Sequence, residues 1–302
     1  MHQGRVLFGN TGGEVTAASL TDGRLLWKKQ VYWGVWARIA WVKSRYLVAS
    51  RDGYLYAFSA TGTKLWRRKI ADSILSSPAQ DTTRLVWTSL DTNLFLFLQK
   101  PEVHRVWTYS TRGPIYSSPV LSGDVVYFGA NDGFVYAVNL KTRRLLWKFQ
   151  TGASVEATPR LTEKLLLVGN TAGRMLALER KSGRLRWSTR LARGIWSTAA
   201  VSKTTVFVGS NDSSLVALSR KNGGLLWRFR TRKELSSSPI VVGKQVVFGG
   251  QDGAVRSLDA KSGRLLWRFV TKGAIEGEMT LHNKTLLVGA GDGALYALKL
   301  PL

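Results

Sequence analysis

The chain has 302 residues, with 44 Lys and Arg against 19 Asp and Glu, and no cysteine. A formal charge of +25 raises the self-repulsion of a compact state and points to an anionic macromolecule as partner: nucleic acid, an anionic envelope component or an acidic protein surface. Lack of cysteine excludes disulfides, thiolate metal sites and thiol catalysis; no run approaches the roughly 18 apolar residues of a spanning helix, so a soluble, non-spanning protein is expected.

The first ten residues, MHQGRVLFGN, hold no apolar signal segment and run directly into a strand pattern over Arg5 to Phe8. On that ground the chain is cytoplasmic, or a leader has been removed. A single pattern then repeats. Trp27, Trp66, Trp107, Trp147, Trp187, Trp227 and Trp267 stand in one context at separations of 39, 41, 40, 40, 40 and 40 residues. Between them lie short alternating runs broken by Asn-Asp-Gly and Ser-Gly turns, which is the pattern of strands joined by hairpins. One unit reads as four strands: an inner one from Ile115 to Leu121, a second from Val125 to Gly129, a third from Phe134 to Asn139, and an outer one from Leu145 to Gln150 that carries the Trp. No segment keeps a helical period.

Four strands per period of about 40 residues is the arithmetic of a propeller blade. Turns between second and third strands fall near Gly12, Asp52, Asp91, Asp132, Gly173, Asp212, Asp252 and Asp292, while inner and outer strands each occur seven times. The chain opens on a second strand and closes after a third, Ala294 to Leu300, which leaves both terminal blades incomplete. The expected fold is all-β: a single, monomeric β-propeller domain over residues 1–302, with eight four-stranded antiparallel blades. Seven blades with an unpaired C-terminal hairpin is the alternative.

The repeat tryptophans have apolar neighbours two residues away, as in Leu265, Trp267 and Phe269, so they are expected to pack between blades. Gly9, Gly129, Gly169, Gly209, Gly249 and Gly289, at the ends of second strands, are expected to give the indoles room. Gly289-Ala-Gly291-Asp-Gly293 resembles a phosphate loop but opens a hairpin with no helix after it. The recurrent turn aspartates are expected to make local backbone hydrogen bonds rather than a catalytic array. His2, His104 and His282 lie in different repeats with no ligand spacing, so no metal site is expected, and no Gly-x-Ser-x-Gly elbow is present.

There is no Trp-Asp or Gly-His dipeptide to suggest WD repeats. The string running from Ala177 through Gly183 and Leu185 to Trp187, and again from Ala217 through Gly223 and Leu225 to Trp227, resembles the tryptophan-docking motif of the pyrroloquinoline-quinone-type propellers. The resemblance covers the whole chain. It implies one of three kinds of protein: a quinoprotein dehydrogenase, a propeller lipoprotein of bacterial outer-membrane assembly, or a sensor or scaffold. A dehydrogenase would need a quinone stacked beside a vicinal disulfide, with Ca²⁺ and a catalytic Asp. No cysteine exists to form that disulfide, and no acidic cluster has Ca²⁺ spacing, so no cofactor and no catalytic residue are expected. The resemblance to the non-catalytic branch implies the periplasm or cell envelope, with the cytoplasm as the alternative.

Alternate hairpins of a blade point to opposite faces, so charges can be sorted by loop. First-to-second-strand loops carry Lys43, Arg45, Arg84, Lys164, Lys203, Lys244 and Lys284; third-to-fourth-strand loops carry Arg24, Lys64, Lys141, Arg143, Arg144, Lys181, Arg184, Lys221, Lys261 and Arg264. Both sets belong to one face, which is expected to bind an anion. The other face holds the aspartate turns with Arg51, Arg112, Arg232 and Lys272, and Lys28, Arg67, Lys148, Arg228 and Arg268 follow the tryptophans on the rim.

On the inner strands, Val35, Ile74, Ile115, Val155, Ile195, Leu235 and Ile275 share a core register. The alternate register is irregular: Trp36, Arg38, Tyr116, Glu156, Trp196, Glu276 and Glu278 form a candidate axial site for a small ligand or peptide, or simply fill the channel. The functional expectation is a non-enzymatic binding or assembly scaffold with protein partners, docking an anionic partner through the basic face. Non-specific nucleic-acid binding and a ligand sensor or quinone enzyme are the alternatives.

Overall fold

The computed structural model describes residues 4–100 and 103–300, so His2 lies outside the described residues. Among the described residues thirty strands form eight antiparallel sheets, and there is no helix. Strands follow one another in chain order within every sheet. The first blade comprises Arg5–Gly9, Glu14–Ser19 and Leu25–Gln30; the second Ala40–Val42, Arg45–Ala49, Tyr54–Ser59 and Lys64–Lys69; the third Ala79–Gln80, Arg84–Thr88, Asn93–Leu98 and His104–Ser110. The fourth comprises Val120–Ser122, Val125–Gly129, Phe134–Asn139 and Arg144–Gln150; the fifth Arg160–Leu161, Leu165–Gly169, Arg174–Glu179 and Leu185–Arg190; the sixth Ala200–Val201, Thr205–Ser210, Ser214–Ser219 and Leu225–Arg230. The seventh comprises Ile240–Val242, Gln245–Gly249, Ala254–Asp259 and Leu265–Val270, and the eighth Thr280–His282, Thr285–Gly289 and Leu295–Lys299. The chain is all-β, an eight-bladed propeller. Its last hairpin pairs with an inner strand of its own, which removes the seven-bladed alternative.

Packing divides the chain into two compact units, the first running up to Leu146 and the second starting at Trp147. In the four-stranded blades, second and third strands are buried along most of their length because they are covered on both faces, whereas outer strands are mostly exposed or half-buried. In the first unit, Leu47, Leu55 and Ala57 of the second blade pack with Trp87, Phe95 and Phe97 of the third around Ile74. In the second unit, Leu167 and Ala177 of the fifth blade pack with Val206, Val208 and Val216 of the sixth around Ile195.

Register explains the repeat motif. Ala17, Ala57, Ala177 and Ala217 pair with Trp27, Trp66, Trp187 and Trp227, and each ladder slips by one residue immediately afterwards. That bulge re-aims the outer strand. In four repeats the indole then meets the next blade: its N–H donates to the first turn residue after the third strand, Trp27 to the Ala60 carbonyl at 3.2 Å, Trp147 to Arg180 at 3.2 Å, Trp187 to Arg220 at 3.0 Å and Trp227 to Ala260 at 3.2 Å. Its ring lies against the turn glycine, so a Cβ on Gly62, Gly183, Gly223 or Gly263 would come within 2.6 to 2.7 Å of the indole.

Two sequence expectations need correction. Five of the second-strand glycines do not face indoles: a Cβ on Gly9, Gly169 or Gly249 would strike Val35, Ile195 or Ile275 at 2.4, 2.2 and 2.4 Å, Gly209 approaches Leu235, and nothing lies within 4 Å of a Cβ on Gly289. The inner strand is also shorter, Val120–Ser122 rather than Ile115 to Leu121. Val35, Ile74, Ile115, Val155, Ile195, Leu235 and Ile275 are buried as expected, but on connections that precede the inner strands.

The turn aspartates are local devices. Asp52, Asp132, Asp252 and Asp292 accept the N–H two residues on, at 2.9, 3.1, 3.2 and 3.0 Å. Their second oxygens take the side chain four residues on: the hydroxyls of Tyr56, Tyr136 and Tyr296 at 2.6, 2.5 and 2.6 Å, and the guanidinium of Arg256.

Candidate functional site

All seventeen loop cations sit in, or at the edge of, the first-to-second or third-to-fourth hairpin of their blade, as the strand boundaries show. In the first unit Arg84 is not available to a partner. Its guanidinium is tied to Asp81 and, at 2.7 Å, to Asp124 of the next blade, with a further bond to the Gly123 carbonyl at 2.9 Å. It joins the third blade to the fourth.

In the second unit the hairpins of the fifth and sixth blades enclose a groove of about 820 Å³. From the fifth blade come Glu163, Lys164, Leu165, Glu179, Lys181 and Arg186; from the sixth come Lys203, Thr204, Ser219, Arg220 and Lys221. Four of the expected face residues, Lys164, Lys181, Lys203 and Lys221, therefore converge here. Six cations against two carboxylates leave the lining four charges positive. Main-chain bonds set the walls: Arg180 N–H donates to the Lys164 carbonyl at 2.9 Å, and Arg220 N–H to the Thr204 carbonyl at 2.8 Å, joining the two hairpins of each blade.

Glu179 stands at the end of a third strand and accepts from the Ser182 hydroxyl at 2.7 Å, Arg184 at 2.8 Å and Arg186 at 3.1 Å. The Arg184 hydrogen bond, with that of Ser182, pulls its carboxyl down to about 2, so it is ionised at any physiological pH. It is one of the two carboxylates among the cations that line the groove. Arg186 and Arg220 were not singled out from the sequence. Arg186 occupies the bulge residue before the repeat Trp, where Leu26, Leu65, Leu146, Leu226 and Leu266 stand in other blades, and that departure is the signal that marks it.

The axial candidates are distributed over both units. In the first, Trp36, Arg38 and Tyr116 are exposed, and successive connections are tied by Arg38 N–H to Ser77 Oγ and Ser77 N–H to Ser118 Oγ, each at 2.9 Å. In the second, Glu276 and Glu278 are exposed and Glu156 is half-buried. Trp196 lines a shallow cleft of about 320 Å³ with Arg193, Asn211 and Glu234, whereas the three axial carboxylates do not line it. Among the described residues no group of three or more His, Asp or Glu side chains is placed to hold a metal ion.

Residues 11–114, 51–198 and 191–300 match the family of outer membrane protein assembly factor BamB. The chain belongs to that family. No curated protein sequence matches it. Among solved structures it is similar to BamB from Moraxella catarrhalis, at 21% identity and a TM-score of 0.87 over 98% of this chain and 94% of that one. It is also similar to the computationally designed Ika8 protein, at 16% identity and a TM-score of 0.85 over 99% and 94% of the two chains. Saccharomyces cerevisiae Sqt1 matches at 10% identity and a TM-score of 0.89 over 100% and 94%. At these identities the likenesses establish the fold. The chain has no cysteine with which to form the vicinal disulfide that the resemblance implies for a quinone site.

Proposed function

We propose that the protein is a non-enzymatic docking scaffold of the cell envelope that holds an acidic segment of a partner protein in the groove between its fifth and sixth blades. Lys164, Lys181 and Arg186 of the fifth blade and Lys203, Arg220 and Lys221 of the sixth line the groove, and that lining carries the reading. Cations brought together from separate hairpins raise the local potential more than the same charges dispersed on a surface, and they speed encounter with an acidic partner. The family's assembly-factor description supports a protein partner over nucleic acid.

Fluorescence anisotropy with a labelled polyglutamate peptide, against labelled duplex DNA at matched charge, tests this. The peptide should bind with an affinity that falls as salt rises, and a Lys181→Glu, Lys221→Glu variant should lose it by roughly tenfold or more. Undiminished binding by the variant would move the site elsewhere. A strong preference for DNA would make the nucleic-acid reading the better one.

A further inference from the structure

On the connection between the first and second blades, Tyr32, Trp33 and Trp36 are 67, 66 and 55% exposed. The corresponding pairs to Tyr32 and Trp33 on other connections are Ala192 and Arg193, Arg232 and Lys233, and Lys272 and Gly273, none of them aromatic. Scattered exposed apolar residues are ordinary, but three large rings within five residues make a patch.

The backbone there is both unusual and fixed. Trp33 has a φ of 58°, in the left-handed region that a bulky side chain rarely adopts. Hydrogen bonds hold the chain on either side of it: Val31 N–H to the Gly13 carbonyl at 2.9 Å, Ser50 Oγ to the Tyr32 carbonyl at 2.5 Å, Arg51 N–H to the Gly34 carbonyl at 3.0 Å, and Val35 N–H to the Asn10 carbonyl at 2.9 Å. The frame thus imposes a strained conformation whose effect is to keep an indole in water, and strain of this kind concentrates at functional positions. Cations adjoin the rings. Arg67 lies over the Tyr32 ring at 5.8 Å and the Tyr54 ring at 5.2 Å, and Arg51 is exposed on the turn that bonds to Gly34.

We propose that this loop docks the protein on an anionic lipid surface, with Tyr32, Trp33 and Trp36 entering the headgroup layer and Arg51 and Arg67 meeting lipid phosphates. Indole and phenol rings combine an apolar body with a polar tip and settle at that depth, and neighbouring cations add attraction to anionic lipid. A nucleic-acid strand needs a groove that tracks its backbone, whereas these rings stand more than half exposed.

The test is flotation with vesicles of phosphatidylcholine mixed with phosphatidylglycerol, beside vesicles of phosphatidylcholine alone, with brominated acyl chains to read ring insertion. Trp33→Gly is the informative variant because glycine takes that φ freely, so its thermal midpoint should not fall. Wild type should float with the anionic vesicles and be quenched. Trp33→Gly with Trp36→Ser should lower partition by roughly tenfold and abolish the quenching. Trp36→Ser alone, at an exposed position, should lower it severalfold. Failure of wild type to bind anionic vesicles would overturn the proposal, as would variants that bind and quench like wild type. Loss of single-stranded oligonucleotide binding in these variants, with vesicle binding unchanged, would also overturn it.

Discussion

Gly183 lies face-on to the indole of Trp147: a methyl on its Cα would come within 2.6 Å of Cδ2, at a φ of 73° that L side chains avoid. The two residues belong to successive repeats, so the glycine of one motif exists for the tryptophan of the one before. Gly183→Ala must both strain the backbone and push the indole from its bond to the Arg180 carbonyl. A loss of roughly 2–4 kcal/mol in denaturant unfolding is expected. Gly243 supplies the control, since it also has positive φ, 59°, but nothing lies within 4 Å of the added carbon. Gly243→Ala should lose only about 1 kcal/mol, and equal losses at the two sites would refute the docking argument.

This pairing also shows why some of the molecule was readable in its sequence and some was not. Turn chemistry and the beat of the tryptophans are local and survive in one dimension, so blade number, hairpin positions and the open ends were legible. The inner strands were overextended because Ile115 and its counterparts alternate in burial as a strand does. The burial of Val35, Ile195, Leu235 and Ile275 comes from packing against second-strand glycines, and Pro119, just beyond Ile115, cannot donate to a ladder. Charge could be assigned to a hairpin but not to a partner. Nothing near Arg84 in the sequence announces Asp124, forty residues away, as its counter-ion. The groove needed two blades side by side before Arg186 and Arg220 could be placed in it.

Arg256 and Asp252 form an ion pair in which each side chain is only 7% exposed. Burial alone would push the Asp252 carboxyl up; the Arg256 hydrogen bond outweighs this and holds it below the usual range. The pair therefore adds stability at pH above the ordinary carboxyl value of 3.8, and that contribution is lost as pH falls below it. Asp252→Ala leaves a buried guanidinium without its counter-ion and should lose roughly 3–5 kcal/mol at neutral pH. Arg256→Tyr should lose about 1 kcal/mol or less, because tyrosine already fills this place at Tyr56, Tyr136 and Tyr296. Urea midpoints of the two variants check both values, and a severe loss in Arg256→Tyr would show that the blades do not exchange this contact freely.

The second blade should respond to alkali through Tyr56. Burial, with the Asp52 carboxylate 2.6 Å away, pushes its hydroxyl up to about 12. A phenol whose folded value is raised favours the folded state while protonated. Its contribution is complete below 10, the ordinary value, and disappears as pH rises through about 12. Tyr56→Phe should be modestly less stable at neutral pH, by about 1 kcal/mol, and should fall less steeply across the alkaline range. Identical alkaline slopes for the two proteins would show that Tyr56 does not report this linkage.

Glu179 governs how much of the groove's charge reaches a partner. It engages Arg184 and Arg186 together, so a carboxylate arriving from outside competes with one that is already covalently in place. Glu179→Gln removes that competitor while keeping its size and a polar group for Ser182. The lining then holds six cations against Glu163 alone. Affinity for the polyglutamate peptide should rise about three- to tenfold, with a steeper dependence on salt. Because the carboxyl is held down to about 2, lowering the pH to 5 should not mimic the substitution, which separates release of the arginines from general protonation of the peptide's surroundings. Both arginines are largely in solvent, so the thermal midpoint should scarcely move. An unchanged peptide affinity would mean that the arginines serve Glu179 and the third-to-fourth hairpin only, and that binding in the groove rests on Lys164, Lys181, Lys203 and Lys221.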